Sequence, residues 1–87
     1  MNPAEWLVRT ARARPRAPAL LHGAELVCDY AGFAARAGSI AAALAARGIG
    51  AGDRVAIFLP NSVDYLPILY GILWSGACAV PANGKLH

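Results

Sequence analysis

Apolar residues follow a strand–helix–strand pattern between positions 54 and 81. Residues 54–59 are almost continuously apolar after Arg54, which predicts a strand buried on both faces. Residues 63–75 carry apolar side chains at helical spacing, and Gly76 predicts the end of that helix. The apolar helix positions are Tyr65, Leu66, Leu69, Ile72 and Leu73. Residues 77–81 predict a second short strand, so the pattern predicts a parallel βαβ unit with a right-handed crossover.

The first 29 residues predict a helix and a hairpin. Asn2 is a typical N-cap ahead of a proline and an early glutamate, and Pro15 predicts that the helix ends near position 14. Residues 18–22 and 25–29 predict two strands, and a connection that begins with Gly23 favours a type II′ turn between them.

A second helix is predicted from Asp29, as N-cap, to Gly48, as the left-handed residue after its last turn. Its apolar residues follow helical spacing on one face: Phe33, Ala37, Ile40, Ala41 and Leu44. The predicted fold class is therefore α/β, with a β-hairpin, an amphipathic helix and one parallel βαβ unit. Residues 1–28 form the leading helix and hairpin in this division, and residues 29–87 form the helix and the βαβ unit.

The composition is unusually apolar for a chain of this size. Its 87 residues suit one small domain, and only 15% of them are charged, against roughly 25% in ordinary soluble domains. A domain this small buries too little surface to cover so many apolar side chains. We therefore expect the remainder of a larger domain to cover the apolar faces.

The alternative of a membrane span is not favoured. The longest apolar run, residues 65–80, contains Pro67 and Gly71 and is shorter than the ~20 residues that a spanning helix needs. The sequence also lacks the pattern of a signal peptide. Cys28 and Cys78 are far apart and outside any metal-ligand motif, which predicts small buried thiols rather than a zinc site or a disulfide. A reducing cytoplasm is the expected location.

Asn61 and Ser62 are candidates for a ligand-facing position. They follow a strand of the predicted parallel pair, and open α/β folds bind ligands beyond the carboxyl ends of such strands. The simpler interpretation is that one of them caps the next helix. Asp64 in the first helical turn would then complement the helix dipole rather than act as a base.

Two glycine segments are candidates for phosphate-binding loops. Gly48, Gly50 and Gly52 come after a helix and before a strand, whereas a phosphate loop needs the opposite order, so a helix cap and a turn are favoured. Gly84-Lys85 lacks the remaining residues of a Walker loop.

The other polar candidates are also isolated. His22 and His87 have no Ser or carboxylate partner within sequence reach, which disfavours catalysis. Arg9, Arg12 and Arg16 could form a basic stripe for nucleic acid, but Pro15 interrupts the helix and no aromatic residues alternate with them. A solvated face is favoured, and no nucleic-acid partner is expected.

Taken in order, several segments resemble one known family. They are Tyr30-Ala-Gly-Phe33, Arg47-Gly48-Ile49-Gly50, Gly52-Asp53-Arg54-Val55-Ala56-Ile57, Pro60-Asn61-Ser62, Leu73-Trp74-Ser75-Gly76-Ala77 and Val80-Pro81-Ala82-Asn83. The ordered combination resembles the N-terminal segment of the AMP-forming acyl-CoA synthetases, the adenylate-forming enzymes. The chain departs from the family at Asp29, Gly32 and Gly84, where Thr, Glu and Pro are common.

The resemblance implies the N-terminal part of a layered AMP-binding domain. It implies a ligase that joins a fatty or aryl carboxylic acid to AMP, using ATP and Mg²⁺, and then transfers the acyl group to coenzyme A. The catalytic motifs of the family, including the phosphate loop that ends in Pro-Lys-Gly, have no match here. We therefore assign no catalytic, cofactor-binding or metal-binding residue, and we expect these 87 residues alone to be inactive and to bind none of these cofactors.

A second hypothesis is a small nonenzymatic α/β interaction module. It would bind a protein partner through the exposed apolar face.

Overall fold

The fold contains three helices and four short strands. A computed structural model describes residues 2–22, 24–59 and 62–82. In chain order the elements are α1 (Pro3–Ala13), β1 (Pro18–His22), β2 (Glu25–Asp29), α2 (Tyr30–Ala46), β3 (Arg54–Ile57), α3 (Tyr65–Trp74) and β4 (Cys78–Pro81). The predicted order and type of these elements are confirmed, and the fold class is α/β.

The strands form two separate pairs. β1 and β2 are antiparallel, with Leu21 opposite Leu26 and His22 opposite Glu25. Both strands have the predicted bounds, whereas the predicted turn type depends on Gly23, which lies outside the described residues. β3 and β4 are parallel and in register from Arg54, opposite Cys78, to the ends of both strands. The predicted βαβ unit is therefore present.

The predicted caps position the first two helices. The Asn2 side chain accepts a hydrogen bond from the Ala4 N–H at 2.9 Å, and the Asp29 carboxylate accepts one from the Gly32 N–H at 2.8 Å. α2 ends in a Schellman motif, in which Gly48 has φ +78° and the Ile49 N–H donates to the Leu44 carbonyl at 3.0 Å. The chain reverses there and enters β3.

The predicted first strand of the βαβ unit is too long. β3 ends at Ile57, which is 2% exposed, whereas the next residue, Phe58, is 69% exposed. The prediction of burial on both faces is also wrong for the described residues. Along β3, exposed side chains alternate with buried or half-buried ones, so only one face of the strand is covered. The sequence pattern describes a strand inside a wider sheet, but the described residues pair it with β4 alone.

α3 begins two residues later than predicted. Pro67 has no N–H with which to bond the carbonyl of residue 63, so it fits only in the first turn, where N–H groups have no helical partner. The first helical bond accordingly runs from Ile68 to the carbonyl of Asp64, at 3.1 Å. α3 also ends one residue earlier than predicted, at Trp74, and β4 begins one residue later than predicted, at Cys78.

The buried face of α3 also differs from the prediction. Pro67, Gly71 and Ile72 are its buried residues, and Leu66, predicted on the apolar face, is exposed. Gly71 is buried because α3 packs there directly on α2.

Two small apolar clusters form the core. The first joins Leu7 of α1 to Leu20 of the hairpin and to Phe33 and Ala37 of α2. The second joins Ile57 of β3, Ile72 of α3 and Ala77 before β4. α2 lies between the hairpin and the βαβ unit, so the fold positions its surface residues around these two clusters.

Candidate functional site

The carboxyl ends of β3 and β4 lie side by side. The Ala82 N–H donates to the Ile57 carbonyl at 2.9 Å, which continues the parallel pairing beyond the last strand residues. Ser62 follows β3 at this edge, as predicted, and Asn61 lies outside the described residues. The side-chain oxygen of Ser62 accepts a hydrogen bond from the Asp64 N–H at 3.3 Å, so it supports the turn ahead of α3.

The cap of α3 lies two residues beyond Ser62. Asp64 occupies the N-cap of α3, so the interpretation of Ser62 as the cap is wrong. The Asp64 carboxylate makes no capping bond and lies 3.7 Å from the Arg36 guanidinium of α2. Both side chains are largely exposed, so this ion pair contributes little stability. The late start that Pro67 imposes on the helix explains why Asp64, and not Ser62, reaches the cap.

A cleft of about 420 Å³ runs beside Ser62 and brings it near the hairpin. Its lining residues are Leu20, Leu21, His22, Ser62, Val63, Tyr65 and Leu66. His22 and Ser62 thus line the same cleft, which their separation of forty residues did not predict. Among residues 2–22, 24–59 and 62–82, no hydrogen bond joins the two side chains. The cleft is an apolar groove with two polar positions rather than a nucleophile and its base.

The glycine loop between α2 and β3 does not fit a phosphate group. Gly48 and Gly52 have positive φ values, as a cap and a turn require. The Gly50 N–H already donates to the Asp53 carboxylate at 2.8 Å, and that negative charge would repel an anion. The interpretation as a cap followed by a turn is confirmed.

The two thiols lie in different environments. Cys28 is half-buried, and loss of hydration raises its pKa, while the nearby Arg36 lowers it and Asp29 raises it. Cys28 is therefore largely a neutral thiol near pH 7. Cys78 is exposed, so the prediction that it is buried is wrong for the described residues. It begins β4, whose other edge has no partner strand in the part of the chain that the structure describes.

The remaining candidates do not form a reaction centre in this part of the chain. Arg9, Arg12 and Arg16 are exposed, as a solvated face predicts. No group of three or more His, Cys, Asp or Glu side chains within the described ranges could hold a metal ion. Gly84, Lys85 and His87 lie outside those ranges.

None of the helices in the described part of the chain combines the length and apolar character that crossing a bilayer requires.

The order of elements and the sequence motifs together define a class of protein. The family model of the AMP-binding enzymes matches residues 7–87, so the chain belongs to the AMP-binding enzyme family. This confirms the resemblance that the motifs indicated.

The chain is similar to curated enzymes with two kinds of acid in their names. A feruloyl-CoA synthase of an Amycolatopsis species is 41% identical over 81 residues, which cover 93% of this chain and 16% of that enzyme. The long-chain-fatty-acid–CoA ligase FadD13 of Mycobacterium tuberculosis is 40% identical over 83 residues, with the same coverage. The chain thus spans about one sixth of the length of these relatives.

Solved structures give the same result. A fatty acyl-CoA synthetase of Mycobacterium tuberculosis superposes with a TM-score of 0.87 at 40% identity, over 98% of this chain and 17% of that one. The N-terminal domain of FACL13 from the same organism gives a TM-score of 0.88 at 39% identity, over 99% of this chain and 22% of that domain. The fold described above is therefore the fold of the corresponding part of these enzymes.

Proposed function

We propose that these 87 residues are the opening part of an AMP-forming acyl-CoA ligase. The whole protein would use ATP and Mg²⁺ to convert a fatty or aryl carboxylic acid to an acyl-adenylate, and would then transfer the acyl group to coenzyme A. The observation that carries the proposal is the similarity of nearly the whole chain to both a fatty-acyl and a feruloyl ligase. The fatty-acyl and feruloyl groups differ in shape. The similarity therefore supports the class of ligase but does not identify the acid that it activates.

The segment contributes structure rather than chemistry in this proposal. Its described residues include no nucleophile that is hydrogen-bonded to a base and no cluster of metal ligands. In its glycine loop, the Asp53 carboxylate already accepts the Gly50 N–H. We propose that residues 1–87 are the first part of the AMP-binding domain and are inactive alone. The chemistry would then come from residues outside this sequence.

The exposed apolar side chains support the proposal that these residues are one part of a larger domain. Phe58 beyond β3, Val80 on β4 and Leu66 on α3 are exposed, and they belong to the βαβ unit. Parallel strands are normally covered on both faces and paired on both edges. We propose that the remainder of the same domain covers these side chains. Both cysteines are free, which agrees with a cytoplasmic location for the enzyme.

ATP–pyrophosphate exchange with a panel of fatty and aryl acids tests the proposal. We expect only background exchange from the 87-residue chain, and exchange with at least one acid from a polypeptide extended along the same reading frame. The extension should encode a Ser/Thr/Gly-rich loop ending in Pro-Lys-Gly. Exchange by the 87 residues alone would refute their inactivity. A stop codon directly after His87 would instead favour the nonenzymatic interaction module.

A further inference from the structure

A cleft between α1 and α3, on the arginine-bearing surface of α1, is not explained by the proposed ligase chemistry. Its volume is about 440 Å³. It is lined by Asn2, Ala4, Glu5, Val8, Arg9, Arg12 and Trp74. Arg9 and Arg12 lie one turn apart on α1 and are both exposed, and Trp74 at the end of α3 supplies an aromatic wall.

Specific contacts hold the walls of the cleft. The Asn2 amide donates to the Leu73 carbonyl, which joins the first turn of α1 to the last turn of α3. The Trp74 ring packs on α2 at Gly38, where a Cβ atom would lie 3.3 Å from the ring. The indole contacts Gly38 through its outer edge and is 38% exposed, so part of the ring is open to the cleft. The groove is therefore formed before any partner arrives, which lowers the entropic cost of binding.

The charge of this surface is predominantly positive. Arg9, Arg12, Arg14 and Arg16 are all exposed within eight positions of the chain. Within the described ranges the only ion pair is the one between Arg36 and Asp64, so none of these four guanidinium groups is neutralised by a carboxylate there. Glu5 is the single acidic residue among those that line the cleft.

We propose that this cleft, which we name the α1–α3 cleft, binds an acidic amphipathic segment of a partner protein. An apolar side chain of that segment would pack between Val8 and Trp74, and its carboxylates would pair with Arg9 and Arg12. Arg and Trp side chains are enriched at the residues that dominate protein interfaces. A concave site with an aromatic wall suits an inserted side chain, whereas membrane binding favours apolar side chains that protrude. The proposal does not depend on the ligase activity.

Tryptophan fluorescence tests the proposal directly. The Trp6→Phe variant leaves Trp74 as the only indole of the chain, and the probe is a synthetic helical peptide of Glu and Leu with Leu on one face. We expect saturable binding that changes the Trp74 emission and weakens with salt. Replacing Arg9 and Arg12 together by Gln should weaken binding about five- to tenfold, the sum of two partly exposed ion pairs.

The matched control replaces Arg47 and Arg54 by Gln, because both are exposed and neither lines the cleft. It should change the affinity less than twofold. Further probes are the same peptide with Lys for Glu, vesicles of anionic phospholipid, and duplex DNA, and none of them should bind as tightly as the acidic peptide. Equal weakening by the two double variants, tighter binding to vesicles or DNA, or no binding of the acidic peptide would overturn the proposal.

Discussion

Gly71 of α3 lies so close to Ile40 of α2 that a Cβ atom on the glycine would be 2.6 Å from the Ile40 Cβ. It would also be 3.0 Å from the Ala37 carbonyl oxygen. Neither neighbour is the flexible tip of a side chain. The two helices can therefore approach this closely only because residue 71 has no side chain, and this contact fixes α3 on α2 and with it the turn that enters β4.

Replacing Gly71 by Ala should destabilise the chain. Alanine has the better helix propensity, by about 1 kcal/mol. Overpacking costs about 1–3 kcal/mol, and here it falls on a backbone-proximal carbon and a backbone oxygen that cannot move independently. The 2.6 Å approach places the overpacking cost toward the upper end of that range, so we expect a net loss of up to about 2 kcal/mol in the free energy of unfolding, measured by urea denaturation.

Gly38→Ala provides the matched control for the Gly71 variant, because its Cβ would meet only the edge of the Trp74 ring at 3.3 Å. The ring edge need yield by only a few tenths of an ångström, so the control should be close to neutral. Adding Ile40→Ala to Gly71→Ala should recover part of the stability lost by the glycine variant alone. A Gly71 variant as stable as the original chain would show that the helices are not in tight contact.

The contact between α2 and α3 is also the part of the fold for which the predicted buried face was wrong. The apolar pattern of residues 63–75 assigned the buried face to large side chains such as Leu66, yet Pro67 and Gly71 are buried and Leu66 is exposed. A signal of the close approach between α2 and α3 was present in the sequence: positions 67, 71 and 75, four residues apart, hold small or compact residues. Hydrophobic periodicity misses this signal because it gives glycine no weight. The predicted start of α3 was wrong for a local reason, because Pro67 has no N–H and fits only in the first turn of the helix.

Local chemistry predicted the remainder of the fold well. The caps at Asn2 and Asp29, the Schellman glycine at Gly48 and the hairpin strands all depend on residues within a few positions of each other. The clefts could not be predicted, because tertiary packing alone places His22 and Ser62 in one cleft and Arg9 and Trp74 in the other. The exposure of Phe58 could not be predicted either, because no pattern within β3 encodes what packs beside it.

The C-terminus of α2 gives a second prediction. Gly48 has φ +78°, and a Cβ atom there would have no neighbour within 4 Å. The cost of Gly48→Ala is therefore conformational alone, about 1 kcal/mol for a left-handed residue. Gly50→Ala is the control, because its φ is not positive and its Cβ would make only an ordinary contact with the Ser75 oxygen at 3.6 Å. Thermal unfolding followed by circular dichroism should separate the two variants, and equal melting temperatures would contradict the Schellman assignment.

The double role of Asn2 gives a third prediction. Its side chain accepts from the Ala4 N–H and donates to the Leu73 carbonyl. Asn2→Ala removes both bonds and should cost about 1–2 kcal/mol in the free energy of unfolding. Asn2→Asp keeps the cap but has no N–H for Leu73, and it places a negative charge at the negative end of α3.

The aspartate variant should therefore be destabilised even though aspartate is an equally good N-cap. Urea denaturation of the three chains at pH 7 measures the difference. If Asn2→Asp is as stable as the original chain, the bond to Leu73 contributes nothing, and capping alone explains the alanine result.

The last prediction concerns the thiol of Cys28. Burial raises its pKa, so the reactive thiolate forms only at a pH above the ordinary range for cysteine. In a Cys78→Ser variant, the pH at which iodoacetamide reacts at half its maximal rate should lie above that of a free thiol. Arg36 lowers this pKa, so Arg36→Gln should move the midpoint further upward. Mass spectrometry of the alkylated chain measures both midpoints, and denaturation in urea should return them to the ordinary value. A downward shift in the Arg36 variant, or a midpoint already at the ordinary value in the folded chain, would contradict this account of the Cys28 environment.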